Sequence, residues 1–311
     1  MTRRIFSSSL VLLVLAGFSG QISAADLLYL VESGGNKVSR WKTDGNVDNA
    51  NFITGVSTPW TVAFDSSNDI YLTGFTSGYV AKYGLDGSLI NSNYITSGLS
   101  NPSGIAVNQT NGEIFVVNNG NNFVSKYNAD GSLVNANFQD VSTSPDGILI
   151  QGTDMYVVRW ASSAVGKYTN TGSSGTTIND SFITSNVDTW RPFVIARDSV
   201  GNFYVTGSDR VLKFDSNGVQ DTGWVINYTG AYGLAIDSDD NLYVGAYGGT
   251  TVGKFASDGT TIDASFITGV NSVTSIAIQQ NVPEPSTYAL GAIASVVMGV
   301  IARRRQKAAK V

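Results

Sequence analysis

At 311 residues the chain has room for one large domain or two ordinary ones, and its 42% hydrophobic content excludes a disordered chain. Cysteine and histidine are both absent, which excludes disulfide staples, thiolate metal sites and the commonest general base. The net charge of −5 hides a segregation: residues 26–282 carry 12 Lys and Arg against 23 Asp and Glu, a net of −11, and so acidic a stretch is repelled by phosphate backbones, so nucleic acid is not an expected partner.

The first 25 residues combine Arg3 and Arg4, an apolar run at 10–18 and small residues at Ser23, Ala24 and Ala25. That is the pattern of a secretory signal peptide cleaved near Ala24.

From 26 to 281 the chain repeats itself. Residues 79–87 (YVAKYGLDG) read as a short strand entering an Asp-Gly turn, with counterparts at 37–45, 123–131, 164–172, 210–218 and 251–259. Three other strand signals keep step. An aromatic-bearing strand recurs at 27–31, 70–73, 114–117, 155–158, 203–206 and 242–245. An aromatic follows each turn, at Phe52, Tyr94, Phe138, Phe182, Trp224 and Phe266, and an apolar run recurs at 61–64, 104–107, 147–150, 193–196, 233–236 and 275–278. Four short strands in each repeat of roughly 40–45 residues mark a β-propeller blade. The chain enters at the second strand of a blade and ends on an innermost one. The expectation is therefore an all-β, six-bladed propeller whose last innermost strand, 275–278, closes the first blade beside 27–31. Closure leaves no open sheet edge.

After the repeats come Pro283, Glu284 and Pro285, an apolar stretch at 288–302, then Arg303, Arg304 and Arg305. The stretch reads as a single transmembrane helix, short for a typical bilayer, with its arginines on the cytoplasmic side. Motif, helix and arginine cluster in this order resemble the PEP-CTERM sorting signal of Gram-negative bacteria. The resemblance covers the tail, 282–311. It implies recognition by an exosortase, cleavage near the Pro-Glu-Pro motif, passage through the inner membrane and delivery to the cell surface or medium. It also implies an exopolysaccharide or biofilm setting, with extracellular polysaccharide or matrix protein as partner.

Residues 233–244 (GLAIDSDDNLYV) look like the NHL-type propeller repeat, with a weaker likeness to the streptogramin-lyase and gluconolactonase propellers. Streptogramin lyases depend on a catalytic histidine, which this chain lacks. The gluconolactonase likeness implies a divalent metal in the channel, for which the acidic candidates at the mouth are Glu32 and Asp146, with Asn118 and Asn119 nearby. A hard cation needs several converging oxygens, which spacing alone does not show. No cofactor is assigned, with Ca²⁺ as the cation to consider. The Asp-rich turn at 237–241 lacks a calcium-loop pattern and reads as a turn.

The same face gathers large side chains that break the repeat: Trp60, Phe75, Arg159, Trp160, Trp190, Arg191, Tyr232 and Tyr247. Together with Asn118, Asn119 and Asp146 they form the candidate ligand-binding set, suited to stacking on and hydrogen bonding a sugar or peptide. The repeated Lys and Arg of the strands that enter the turns (Arg40, Lys82, Lys126, Lys167, Lys213, Lys254) read as scaffold, stems on apolar neighbours and charge in solvent. Two functions stay open: a non-enzymatic, surface-delivered binding propeller, and an extracytoplasmic metal-dependent hydrolase or lyase.

Overall fold

The computed structural model describes residues 26–279 except 188 and 189. The expected signal peptide, Pro-Glu-Pro tail and transmembrane helix at 288–302 lie outside the described residues. Among the described residues no helix is long and apolar enough to cross a membrane.

The described chain is six four-stranded sheets. Each blade after the first runs in chain order from an innermost strand outward: Pro59–Phe64, Ile70–Gly74, Tyr79–Tyr83 and Leu89–Ile95 make the second blade, and all neighbours pair antiparallel. The other innermost strands are Pro102–Val107, Pro145–Gln151, Pro192–Arg197, Ala231–Ile236 and Val273–Gln279, and the six touch one another in a closed cycle. Val273–Gln279 lies beside Leu27–Glu32 in the first blade, with Leu28 opposite Ile278 and Leu30 opposite Ile276. The expected six blades and their closure are both present.

Alternation explains the core. In strands such as Ile70–Gly74 and Ile114–Asn118 every residue is buried, because both sheet faces meet a neighbouring blade. Each blade therefore buries apolar side chains toward both neighbours, at about 1.5–3 kcal/mol for each large one. The turn that opens each outermost strand needs a residue in the left-handed region, and Gly87 and Gly131 supply φ of 84° and 82°. A Cβ at Gly131 would stand 2.9 Å from the Tyr94 carbonyl of the preceding blade, so the same glycine also lets the blades close up.

The outermost strands carry a second repeated device. Asn49, Asn91, Asn135, Asn179, Asp221 and Asp263 each accept a hydrogen bond from the backbone N–H two residues on, at 2.8–3.1 Å. The ladder register shifts at this point. Ring closure covers the innermost strands but, contrary to the expectation of no open edge, each blade ends on an exposed outermost strand, which the bulge twists away from edge-to-edge pairing.

One scaffold expectation is corrected. The six cations of the third strands do not send their charge into open solvent. Each lies over two aromatic rings of its own blade, as Lys126 does over Phe115 at 5.4 Å and Phe138 at 5.2 Å. Arg40, Lys82, Lys167, Lys213 and Lys254 repeat the arrangement. The register sets an aromatic of the second strand directly opposite each cation, as Phe115 opposite Lys126, the outermost strand adds a second ring past its register shift, and the ring faces attract the charge. Lys126 also donates to Glu113 at 2.8 Å and to the carbonyls of Asn170 and Gly172.

Candidate functional site

Five of the innermost strands start with Pro or Ala, and their second residues occupy equivalent places around one end of the channel. In chain order from the second blade these are Trp60, Ser103, Asp146, Phe193 and Tyr232, with Thr274 at the matching place in the first blade. Asp146 is the one carboxylate of the six. A register shift at this end of Pro59–Phe64, Pro102–Val107, Pro145–Gln151, Pro192–Arg197 and Ala231–Ile236 releases the second residue from ladder pairing.

Three of the six, from alternate blades, meet across the channel. Trp60 Nε1 donates to Asp146 Oδ1 at 3.3 Å, and the Tyr232 hydroxyl donates to Asp146 Oδ2 in a short hydrogen bond. Hydroxyls of Thr274, Ser103 and, on the second strand of its blade, Thr206 lace neighbouring blades together. Thr274 Oγ1 donates to the Trp60 carbonyl at 2.7 Å, Ser103 Oγ to the Asp146 carbonyl at 3.2 Å, and Thr206 Oγ1 to the Tyr232 carbonyl at 2.6 Å. At Gly104 an added Cβ would fall 2.3 Å from that Asp146 carbonyl, so the close approach of the two strands requires glycine.

Above this bridge lies a cavity of about 320 Å³, walled by Trp60, Trp160, Phe193, Tyr232 and Tyr247, with Asp146 at its floor and Asn119 and Ser144 beside it. Phe193 stacks on Tyr232 with centroids 4.4 Å apart, Trp60 stacks on Phe75 at 4.9 Å, and Tyr247 leans on both Trp60 and Tyr232. The Arg191 guanidinium lies over the Trp160 ring at 4.5 Å on the exposed rim. Burial pushes the Asp146 carboxyl up to about 6, although hydrogen bonds from Tyr232 and Trp60 pull the other way. Burial, and then the neighbouring Asp146 charge, hold the Tyr232 phenol well above its ordinary value.

Of the expected residues, Trp60, Phe75, Asn119, Asp146, Trp160, Arg191, Tyr232 and Tyr247 gather at this mouth. Asn119 Nδ2 donates to the Pro145 carbonyl at 2.9 Å, which fixes the wall beside Asp146. The remaining candidates are placed elsewhere. Trp190 is fully buried and packs against Phe214 at 5.7 Å, in a core cluster with Val158, Val165 and Phe203. Arg159 is buried and turned to the outermost strand of its blade, where it pairs with Asp180 at 3.0 Å. Asn118 is buried between the Ser100 N–H, which donates to it, and Ser125 Oγ, to which it donates, both at 2.8 Å. Glu32 is buried as well, accepting from the Asn271 N–H at 3.0 Å and facing Lys37 at 3.6 Å. Glu32 and Asp146 thus have separate partners, and no cluster of three or more acidic side chains able to hold a metal occurs among the described residues. The Asp237 turn is likewise self-contained, since its carboxylate accepts from the N–H groups of Asp239 and Asn241 and from the Tyr243 hydroxyl.

Phe193 and Ser144 were missed as site residues. The expected apolar runs began about two residues inside most of the real strands, so the prolines that open four of them went unused. Alignment on Pro59, Pro102, Pro145 and Pro192 puts Phe193 level with Trp60 and Asp146. Trp190→Ala is expected to cost about 3–5 kcal/mol of stability as a core deletion. The same change should leave ligand affinity per folded molecule unaltered. A melting curve paired with a binding titration checks both.

Residues 99–127, which span most of the third blade, match the NHL repeat family, and residues 281–306 match the PEP-CTERM protein-sorting motif. No curated protein sequence gives a significant match. Among solved structures, a chain of a nidogen/laminin complex superposes with TM-score 0.64 at 16% identity, covering 82% of this chain and 98% of that one. A gluconolactonase from Xanthomonas campestris gives 0.60 at 17% identity over 71% and 79%, and a streptogramin B lyase 0.57 at 15% over 82% and 80%. At such identities the similarity is one of fold. The chain is a six-bladed β-propeller that carries an NHL repeat and a PEP-CTERM sorting motif, which makes it an exported protein sorted by an exosortase.

Proposed function

We propose that the exported propeller is a non-enzymatic binding protein of the extracellular matrix, taking polysaccharide in the aromatic cup at the mouth of its channel. The observation that carries this reading is the set of second positions on the innermost strands. The scaffold asks for nothing in particular there, yet Trp60, Asp146, Phe193 and Tyr232 turn to one cavity. Flat aromatic faces stack on the apolar faces of sugar rings, and Asn119 and Asp146 offer polar partners at the edge. A volume of about 320 Å³ lies at the low end of small-ligand pockets, roughly 300–1,000 Å³. It suits one sugar residue, with the rest of a chain crossing the rim. Gln279, the last described residue, pairs with Leu27 at the opposite end of the first blade from Glu32 and Val273. The cup lies at the Glu32 and Val273 end.

A second reading, the metal-dependent hydrolase or lyase, draws on the raised Asp146 carboxyl, a common mark of catalytic sites. Against it, glycoside hydrolysis ordinarily takes two carboxyl groups across the scissile bond, and Asp146 is the one carboxylate lining the cup. Millimolar Ca²⁺ or Mg²⁺ separates the two readings. The binding reading expects no rise in melting temperature, whereas a rise of several degrees that Asp146→Asn removes favours the metal enzyme. Binding itself is tested on a glycan array with the exposed wall residues. Tyr247→Ala and Trp160→Ala are each expected to weaken retention at least about tenfold, as aromatic anchors do, with unchanged melting. Full retention by both variants moves the site elsewhere.

A further inference from the structure

The cup has a chemistry more particular than a sugar platform. Its floor is a carboxylate and its walls are aromatic faces, the arrangement that receives an organic cation. Asp146 accepts one hydrogen bond on each oxygen, from Trp60 Nε1 and from the Tyr232 hydroxyl. A carboxylate has about four lone-pair sites, so both oxygens keep acceptor capacity toward the cavity. Resting on the binding reading above, we infer that the cup selects a saccharide bearing a free amine, with the ammonium on Asp146 and the sugar ring against Trp60, Trp160, Phe193 and Tyr247.

Four further observations support the assignment. Asp146 stands at a position filled by Trp, Ser, Phe, Tyr and Thr in the other blades, so the fold does not demand an acid there. Burial works against its charge, and an ammonium ion in the cup offsets that cost. The propeller region carries a net charge of −11, which draws cationic chains toward it. Arg191 already lies over one face of Trp160, so this aromatic set accommodates a cation; its exposed charge at the rim is screened by solvent. An N-acetylated sugar presents a neutral amide in place of the ammonium, and a glucose unit presents a hydroxyl. Both should stack equally well, and neither supplies the charge.

The test is a titration of the purified protein at neutral pH with three oligosaccharides of equal length, built from glucosamine, N-acetylglucosamine and glucose. The amine-bearing oligomer is expected to bind at least about tenfold tighter than the other two. In Asp146→Asn, which keeps the shape and the hydrogen-bond capacity, the three should become equal within about twofold, while Tyr247→Ala weakens all three together. Equal affinities in the wild type, or an amine preference that survives Asp146→Asn, overturn the inference and leave the binding reading standing. If none of the three binds, the inference falls; if polysaccharide extracted from a bacterial matrix also fails to bind, the binding reading falls with it.

Discussion

A chain ended after Ser272 is expected to lose its cooperative unfolding transition, whereas one ended after Val282 should melt as the intact propeller does. The strand removed in the first case, Val273–Gln279, is the innermost strand of the first blade, and it is contributed from the opposite end of the sequence. Val273, Thr274, Ser275 and Ile276 are all buried, and Val273 and Ile276 join a cluster with Leu28, Leu30 and Tyr243 that bridges the first and last blades. Removing two buried aliphatic side chains costs about 2–5 kcal/mol each, before the lost ladder is counted. The open edge of Leu27–Glu32 adds unpaired backbone groups at the centre of the ring. Against a total stability of about 5–15 kcal/mol for an ordinary domain, that is enough to unfold it. Ile276→Asp is a milder version, expected to lower the melting temperature by ten degrees or more. Chemical denaturation followed by circular dichroism is the check. A truncated chain that keeps a single sharp transition would show that closure is dispensable.

Asp146→Asn is expected to stabilise the protein at neutral pH and to change little at pH 4. Burial raises the Asp146 carboxyl from an ordinary 3.8 to about 6. Well below pH 3.8 the group is protonated in both folded and unfolded chains, and at pH 4 the difference it contributes is still small. As pH rises from 4 to 6 the unfolded chain ionises first, and folding must then work against an ionised, partly buried carboxylate. Stability from this group therefore falls across that window and stays low above it. A shift of about two units corresponds to roughly 3 kcal/mol at most. At this chain size that is on the order of 5 °C or more in melting temperature. Asparagine still accepts from Trp60 and can donate to Tyr232, so the channel bridge survives. Asp146→Ala moves the other way, because it strands the buried Tyr232 hydroxyl at a cost of about 1–3 kcal/mol. Melting curves for the three proteins between pH 4 and 8 decide the matter. Wild-type and Asn curves that run parallel would remove the carboxylate from the buried position argued for it. A native residue that costs stability where the fold does not require it is a mark of function.

The fold was legible because a propeller writes its blades out repeatedly. Any one strand with Lys-Tyr-Asp-Gly, such as that at Lys82, could pass for a site. Its five counterparts identify it as scaffold, and the paired rings around every one of these cations give the reason for the repetition. The site was legible in part for the complementary reason, since residues that interrupt the repeat stand out. Trp60, Tyr232 and Tyr247 stand out in this way, and Asp146 as an acidic residue at the channel mouth. Trp190 and Arg159 interrupt it too, but each is consumed inside its own blade, and the sequence does not distinguish a side chain turned to the channel from one turned to the core. The meeting of Trp60, Asp146 and Tyr232 was beyond reach for a geometric reason. They are 86 residues apart in each step and come together only because alternate blades face one another across a closed ring.

The central claim is that function resides where the blades differ, in the cup, and the five tryptophans test it directly. Their indole N–H resonances can be followed in ¹⁵N-labelled protein as a bound saccharide is titrated. Trp60 and Trp160 wall the cup, while Trp190 is buried, Trp41 donates to Ser39, and Trp224 donates to the Ser257 carbonyl. The expected result is movement of the Trp60 and Trp160 signals with the other three in place. Movement of Trp41 or Trp224, with Trp60 and Trp160 unchanged, would contradict it.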